Sequence, residues 1–337
     1  MPSQTPAVLT NLSILPKIEL HLHLDCSLSY DVVQAIDPSI SEADYREHFI
    51  APDKCTDLAD YISRALRHID LMQTPEQLRL VTLDLMDQLK ADNVRYAEIR
   101  FAPLEHCRNG LTAEEVVATV YQALEIGMSK TGVQARLILC TLRHYTEEQG
   151  LEIVQLVEAF QDQLVVGFDL AADEAGFPID AHVRAFQYAK SKGLNCTAHA
   201  GEACGPESVW ETLDRLQTNR IGHGVRSIED SKLVEHLVRE GIHLEVCPTS
   251  NVQTNVVDTI NDHPIDRLYQ AGVSLSINTD ARTVSKITLS SEYEVLARQF
   301  NWTKDHFRHC NLEAIKHASV DAATKARLRE QILKAYA

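Results

Sequence analysis

The sequence predicts an α/β protein built as a single (β/α)8 barrel of the TIM type, with a helical insertion after the first strand. Three observations predict it. Strand-like and helix-like segments alternate along the chain, which implies a parallel sheet. The strand-like segments number eight, the count that closes such a barrel. Polar, chemistry-bearing residues stand at the ends of several of these strands, where barrel active sites are built.

The first strand is Pro16-Lys17-Ile18-Glu19-Leu20-His21-Leu22-His23-Leu24. Its apolar and polar residues alternate, so Glu19, His21 and His23 share one face and Ile18, Leu20, Leu22 and Leu24 the other. A helical lid over the barrel mouth is then expected within residues 26–93. Leu58, Ile62, Leu66 and Ile69 repeat at helical spacing, and Thr74-Pro75-Glu76-Gln77 opens a helix that runs through Leu89.

From there the alternation is regular. Strands are expected at Val94–Phe101, Gln134–Cys140, Leu164–Leu170, Leu194–His199, Arg220–His223, Ile242–Cys247 and Val273–Asn278. The intervening helices start at Thr112, Glu147, Ile179, Pro206, Asp230 and Pro264, and the C-terminal remainder is helical. Gly193, Gly241 and Gly272 each fall between a helix and a strand, where a C-cap glycine belongs. No repeat or linker interrupts the pattern, so residues 1–337 read as one catalytic domain.

Composition narrows the function. A net charge of −16 argues against nucleic acid and against an anionic membrane surface, since both need clustered lysine and arginine. Met1 to Ser13 shows no basic, apolar leader pattern, and no run has the length of a membrane span. The eight cysteines contain no C-x-x-C pair, which points to reduced thiols in a cytoplasmic protein.

The strand ends carry the chemistry. His21 and His23 end the first strand, Asp169 the fourth, His199 the fifth, His223 the sixth and Asp280 the eighth. Any one of these alone reads as an ordinary polar residue. Their recurrence at five of eight strand ends selects His21, His23, His199 and Asp280 as metal ligands. Imidazoles with one carboxylate suit zinc, or another first-row metal, better than magnesium or calcium. Glu202, three residues after His199, is placed as an acid or base beside the metal, and His223 is left as a second base. The remaining histidines, His68, His106 and His243 among them, read as surface or core.

These stretches, together with Tyr96-Ala97-Glu98-Ile99-Arg100, Asp169-Leu170-Ala171, His199-Ala200-Gly201-Glu202, Arg220-Ile221-Gly222-His223-Gly224, Glu245-Val246-Cys247-Pro248-Thr249-Ser250-Asn251 and Asn278-Thr279-Asp280, resemble the adenosine deaminase family. The resemblance implies zinc held by His21, His23, His199 and Asp280. It implies a water that loses a proton toward His223, assisted by Asp280, and attacks C6 of a purine. Glu202 donates a proton to N1, and ammonia leaves. It places Asp25 against the ribose hydroxyls, favouring a nucleoside over a nucleotide, and makes His23, Asp169 and Ala172 substrate contacts.

The sequence departs from the family pattern at three places. Ala281, followed by Arg282, stands where the family has a second aspartate that contacts N7. Cys26 and Ala172 replace glycines. The expected reaction is deamination of adenosine or 2′-deoxyadenosine. Aminodeoxyfutalosine or adenine are alternative substrates, and a metal-binding member without turnover or a barrel amide hydrolase are alternative functions.

Overall fold

The computed structural model describes residues 12–161 and 164–337. Most of the N-terminal stretch read for a leader, residues 1–11, lies outside the described residues. Eight parallel strands follow one another around the barrel in chain order: β1 (Lys17–His23), β2 (Val94–Phe101), β3 (Gln134–Leu142), β4 (Val165–Ala171), β5 (Asn195–Ala200), β6 (Arg220–His223), β7 (His243–Val246) and β8 (Ser274–Ile277). The seam between β8 and β1 is closed by main chain. His23 N–H donates to the Asp280 carbonyl at 2.7 Å, and Asp280 N–H to the His21 carbonyl at 3.0 Å. Asn278 helps from the side, its Oδ1 accepting the N–H groups of Leu20 and His21.

The insertion after β1 contains α1 (Tyr30–Ile36), α2 (Glu42–His48), α3 (Leu58–Ser63), α4 (Ala65–Asp70) and α5 (Pro75–Ala91). The expected single helix through Leu58 and Ile69 is broken at Arg64. Leu66 therefore leaves the apolar stripe and is 52% exposed, whereas Leu58 and Ile69 stay buried. At the start of α5, Thr74 caps as expected, but the Gln77 side chain accepts from the N–H of Gln73 rather than from that of Thr74.

The outer ring continues with α6 (Ala113–Thr131), α7 (Glu147–Phe160), α8 (Val183–Ser191), α9 (Pro206–Arg215), α10 (Ser231–Glu240), α11 (Pro248–Gln253) and α12 (Ile265–Gln270). The C-terminal remainder is three helices, α13 (Leu289–Phe300), α14 (Lys304–His317) and α15 (Ala322–Ala335). All eight cysteines are unpaired. Among the described residues no helix is long and apolar enough to cross a membrane.

The barrel interior is charged as well as apolar. Arg220 donates to Glu98 at 2.6 Å and to Glu245 at 2.7 Å; Arg100 donates to Glu245 at 2.6 Å and to Asp169 at 3.0 Å. Each of these five is buried. Buried charges are tolerated only when each is paired and hydrogen-bonded. Here they alternate in sign from the floor of the barrel to the strand ends, where Glu245 and Asp169 meet two histidines.

Candidate active site

Five side chains converge at the C-terminal mouth of the barrel. His21, His199, His223 and Asp280 each offer a ligand atom within 4.8 Å of the others. His23 joins them, with Nε2 3.3 Å from both His199 Nε2 and Asp280 Oδ1. The first four contain His223 where the sequence reading placed His23. Asp280 Oδ1 also lies 3.3 Å from His21 Nε2.

The outer atoms of these groups are held from behind, as metal-binding histidines require. His21 Nδ1 is 3.0 Å from Glu245 Oε2. His199 Nδ1 is 3.0 Å from the Leu170 carbonyl and 3.2 Å from Asp169 Oδ2. Ser250 Oγ donates to Asp280 Oδ2 at 2.7 Å. The inner atoms are left facing one another, and His21 Nε2 is buried without a hydrogen-bond partner. An orphaned imidazole nitrogen aimed at two further imidazoles and a carboxylate fits a first-row metal ion. Asp169 thus sits behind His199. It is buried and paired with Arg100 and His199 rather than facing the cavity as a substrate contact.

Backbone strain collects at the same strand ends. His223, Asp280 and Ala172 have φ values of 60°, 62° and 80°, in the left-handed region that disfavours a Cβ. Gly222 is needed for a different reason: a Cβ there would stand 2.9 Å from His21 Cε1 and 3.2 Å from His199 Cγ.

Glu202 follows on the turn after β5. Burial pushes its carboxyl well above the usual carboxylate range, and the charges of Asp280 and Glu174 push the same way. That shift favours the protonated carboxyl, the form a general acid needs. Its Oε2 lies 3.5 Å from His223 Nε2, and its Oε1 is buried and unpartnered. The turn itself is gripped by Glu174, whose carboxylate accepts the N–H groups of Gly201, Glu202 and Cys204 at 2.7, 3.0 and 2.9 Å. Arg143 holds the neighbouring carbonyl of His199 at 2.9 Å.

These groups open into a cavity at the barrel mouth. Asp25, 6% exposed, lines it. Burial would raise the Asp25 carboxyl, but the neighbouring His106 imidazole holds it below its ordinary value. His106 Nε2 stands 3.7 Å from Asp25 Oδ2. The sequence reading left His106 with the core, because nothing local marks it as the neighbour of a residue so far back in the chain.

The opposite wall is apolar. Leu58, Tyr61, Ala281 and Val284 pack in one buried cluster, with Cys26 and Ile62 against it, and all six line the cavity. Ala172 also lines it. Arg282, the nearest group that could replace the missing aspartate, turns away. It is buried and ion-paired with Glu19 at 3.2 Å and Asp92 at 2.7 Å.

Residues 16–335 match the family model described as adenosine deaminase. An adenosine deaminase of Clostridium kluyveri is 34% identical over 331 residues, covering 96% of this chain and 95% of that one. The adenosine deaminase of Enterococcus faecalis is 35% identical, covering 96% and 97%. Among solved structures, an adenine deaminase from Arthrobacter aurescens superposes with a TM-score of 0.88 at 28% identity, covering 95% of this chain and 98% of that one. The Arabidopsis protein ADAL, solved with IMP, gives 0.86 at 26%, covering 96% and 98%. An amidohydrolase from Burkholderia ambifaria with bound zinc gives 0.90 at 25%, covering 99% and 94%. A deaminase framework thus extends over nearly the whole chain. The chain belongs to the adenosine deaminase family of aminohydrolases.

Proposed function

We propose that this chain catalyses the zinc-dependent hydrolytic deamination of adenosine or 2′-deoxyadenosine, yielding inosine or 2′-deoxyinosine and ammonia. The metal would be held by His21, His23, His199 and Asp280. A bound zinc ion supplies Lewis acidity and lowers the pKa of a water toward neutrality.

The chain's own groups do the rest. Glu202, protonated, faces N1 of the purine and gives it a proton, which makes C6 electrophilic. His223 hydrogen-bonds the attacking water. A C6–O bond forms and the C6–N6 bond breaks. One water proton leaves with the amine as ammonia, and the other restores the Glu202 carboxyl.

The observation that supports a nucleoside is the charge of the cavity. Asp25 and Glu105 add two carboxylates to its wall, and among the described residues none that lines it is lysine or arginine. A ribose hydroxyl can donate to Asp25, whereas a 5′-phosphate would be repelled. The same wall makes Asp25 and His23 the sugar-side contacts and Ala172 a contact to the base. We read residues 1–337 as one catalytic domain with its lid inside residues 26–93. The unpaired cysteines support a cytoplasmic enzyme.

The test is ammonia release by zinc-loaded protein from adenosine, 2′-deoxyadenosine, adenine, AMP and aminodeoxyfutalosine side by side. The two nucleosides are expected to lead, with AMP lowest. Faster release from adenine than from adenosine would overturn the role given to Asp25.

A further inference from the structure

We propose that His223 acts as a neutral hydrogen-bond donor through Nε2, neither a metal ligand nor the acceptor of the water proton, and that Asn251 and His263 lock it in that tautomer. The tautomer follows from hydrogen bonding alone; its part in the reaction rests on the function proposed above.

The argument starts at a group with only one option. The backbone N–H of Ile265 donates to His263 Nδ1 at 3.1 Å, so that nitrogen carries a lone pair. His263 is 2% exposed, and burial pulls its pKa down to about 3, so the ring is neutral and its proton is on Nε2. That N–H lies 3.2 Å from the Asn251 side chain and can only meet the amide oxygen, Oδ1. The other end of the amide is then Nδ2, an obligate donor, and it stands 3.1 Å from His223 Nδ1. His223 Nδ1 therefore accepts, and a neutral imidazole that accepts at Nδ1 carries its proton at Nε2.

Every link is buried, so water is not on hand to substitute for one. Adding a proton at His223 Nδ1 would set it against the Asn251 amide hydrogens, which excludes the imidazolium a general base must become. The Nε2 proton points where oxygen chemistry occurs, 3.5 Å from Glu202 Oε2 and with the ring 4.8 Å from that of His21. A donor fixed there strengthens its bond as negative charge develops on the attacking oxygen. The water proton then goes to the Asp280 carboxylate and on to the departing nitrogen. It also follows that His23, not His223, completes the metal set.

The tautomer is read directly from zinc-loaded protein with ¹⁵N-labelled histidine, by long-range correlation of ring protons with ring nitrogens. His223 and His263 should each show an unprotonated Nδ1 and a protonated Nε2, with signals assigned by His263→Gln and Asn251→Asp. In Asn251→Asp the new carboxylate can only accept. It should draw the His223 proton to Nδ1 and lower kcat about 100-fold, as loss of one oxyanion donor does, with zinc per chain unchanged. Four results would overturn the proposal: a wild-type His223 protonated at Nδ1, one protonated at both nitrogens, one with a metal-shifted Nε2, or a flipped tautomer with undiminished kcat. Should Asn251→Asp fail to fold, the wild-type spectrum decides alone. The spectrum needs no substrate, so failure to deaminate adenosine would count against the proposed function and leave the tautomer to be judged separately.

Discussion

The two sides of the cavity are built on opposite terms. On the metal side each side chain is held at its far end: His21 by Glu245, His199 by Asp169, His223 by Asn251 and Asp280 by Ser250. On the apolar side Cys26, Leu58, Ile62, Ala281 and Val284 meet through apolar contact, and the Tyr61 hydroxyl is engaged by Ser285 at 2.6 Å. Apolar contacts tolerate substitution if volume is kept. A polar network loses a partner at full desolvation cost. For the proposed function, this assigns the reaction to one wall and the choice of purine to the other.

The largest expected break of that comparison is Glu202→Gln. The amide cannot give N1 a proton, so kcat should fall about 100- to 10,000-fold. Zinc content and substrate affinity should stay near wild type, because no metal ligand contacts the carboxyl through its proton. Retained turnover, measured as ammonia release, would remove Glu202 from the reaction.

The apolar wall should respond far more mildly. In the proposed reaction a purine whose N1 meets Glu202 is expected, from the family resemblance, to turn its N7 edge toward Ala281, which lines the same cavity and offers only a methyl group. Wild type should therefore treat adenosine and 7-deazaadenosine alike, within about threefold, since no net hydrogen bond separates them. Ala281→Asp adds a carboxyl beside Asp280, where the missing solvent keeps it protonated and able to donate to N7. KM for adenosine should fall about 2- to 10-fold, the worth of one net hydrogen bond, while KM for 7-deazaadenosine does not. A strong preference for adenosine in wild type would mean that another group already serves N7. It would not be Arg282, which is committed to Glu19 and Asp92.

The same division explains what could be read in advance. Period-two alternation marked the first strand, and the rhythm of strands and helices marked the other seven. His21, His23, His199, Glu202, His223 and Asp280 were legible because they stand at or just beyond strand ends, which the pattern also marks. Their supports were not. Asp169 has the position of one more strand-end ligand, and only its pairing with Arg100 on β2 shows that it works from behind. His106, Asn251, Glu174 and His263 take their meaning from partners that only the fold brings near, and spacing carries no trace of a partner. The break at Arg64 was hidden because Leu66 keeps helical spacing while the backbone does not.

The last effect is on stability rather than turnover and concerns what the polar side costs. Glu292, on α13, is fully buried and accepts the Thr249 N–H at 2.9 Å, which steadies the turn carrying Ser250 and Asn251. Its second oxygen has no partner, and burial raises its pKa to about 8. The unfolded chain releases this proton near the ordinary carboxyl value of about 4.3. Between there and about 8 the folded state holds a proton that the unfolded state has lost, so stability falls as pH rises through that window. A glutamine at this position would keep an acceptor for Thr249 and has nothing to titrate. Glu292→Gln should match wild type near pH 5 and gain on it by about 1 kcal/mol per pH unit toward pH 8, then level off. In thermal melts this is a difference of roughly 1–2 °C per unit. A constant difference across the range would place the cost of this carboxyl in packing instead, and the support of the polar wall would then be indifferent to charge.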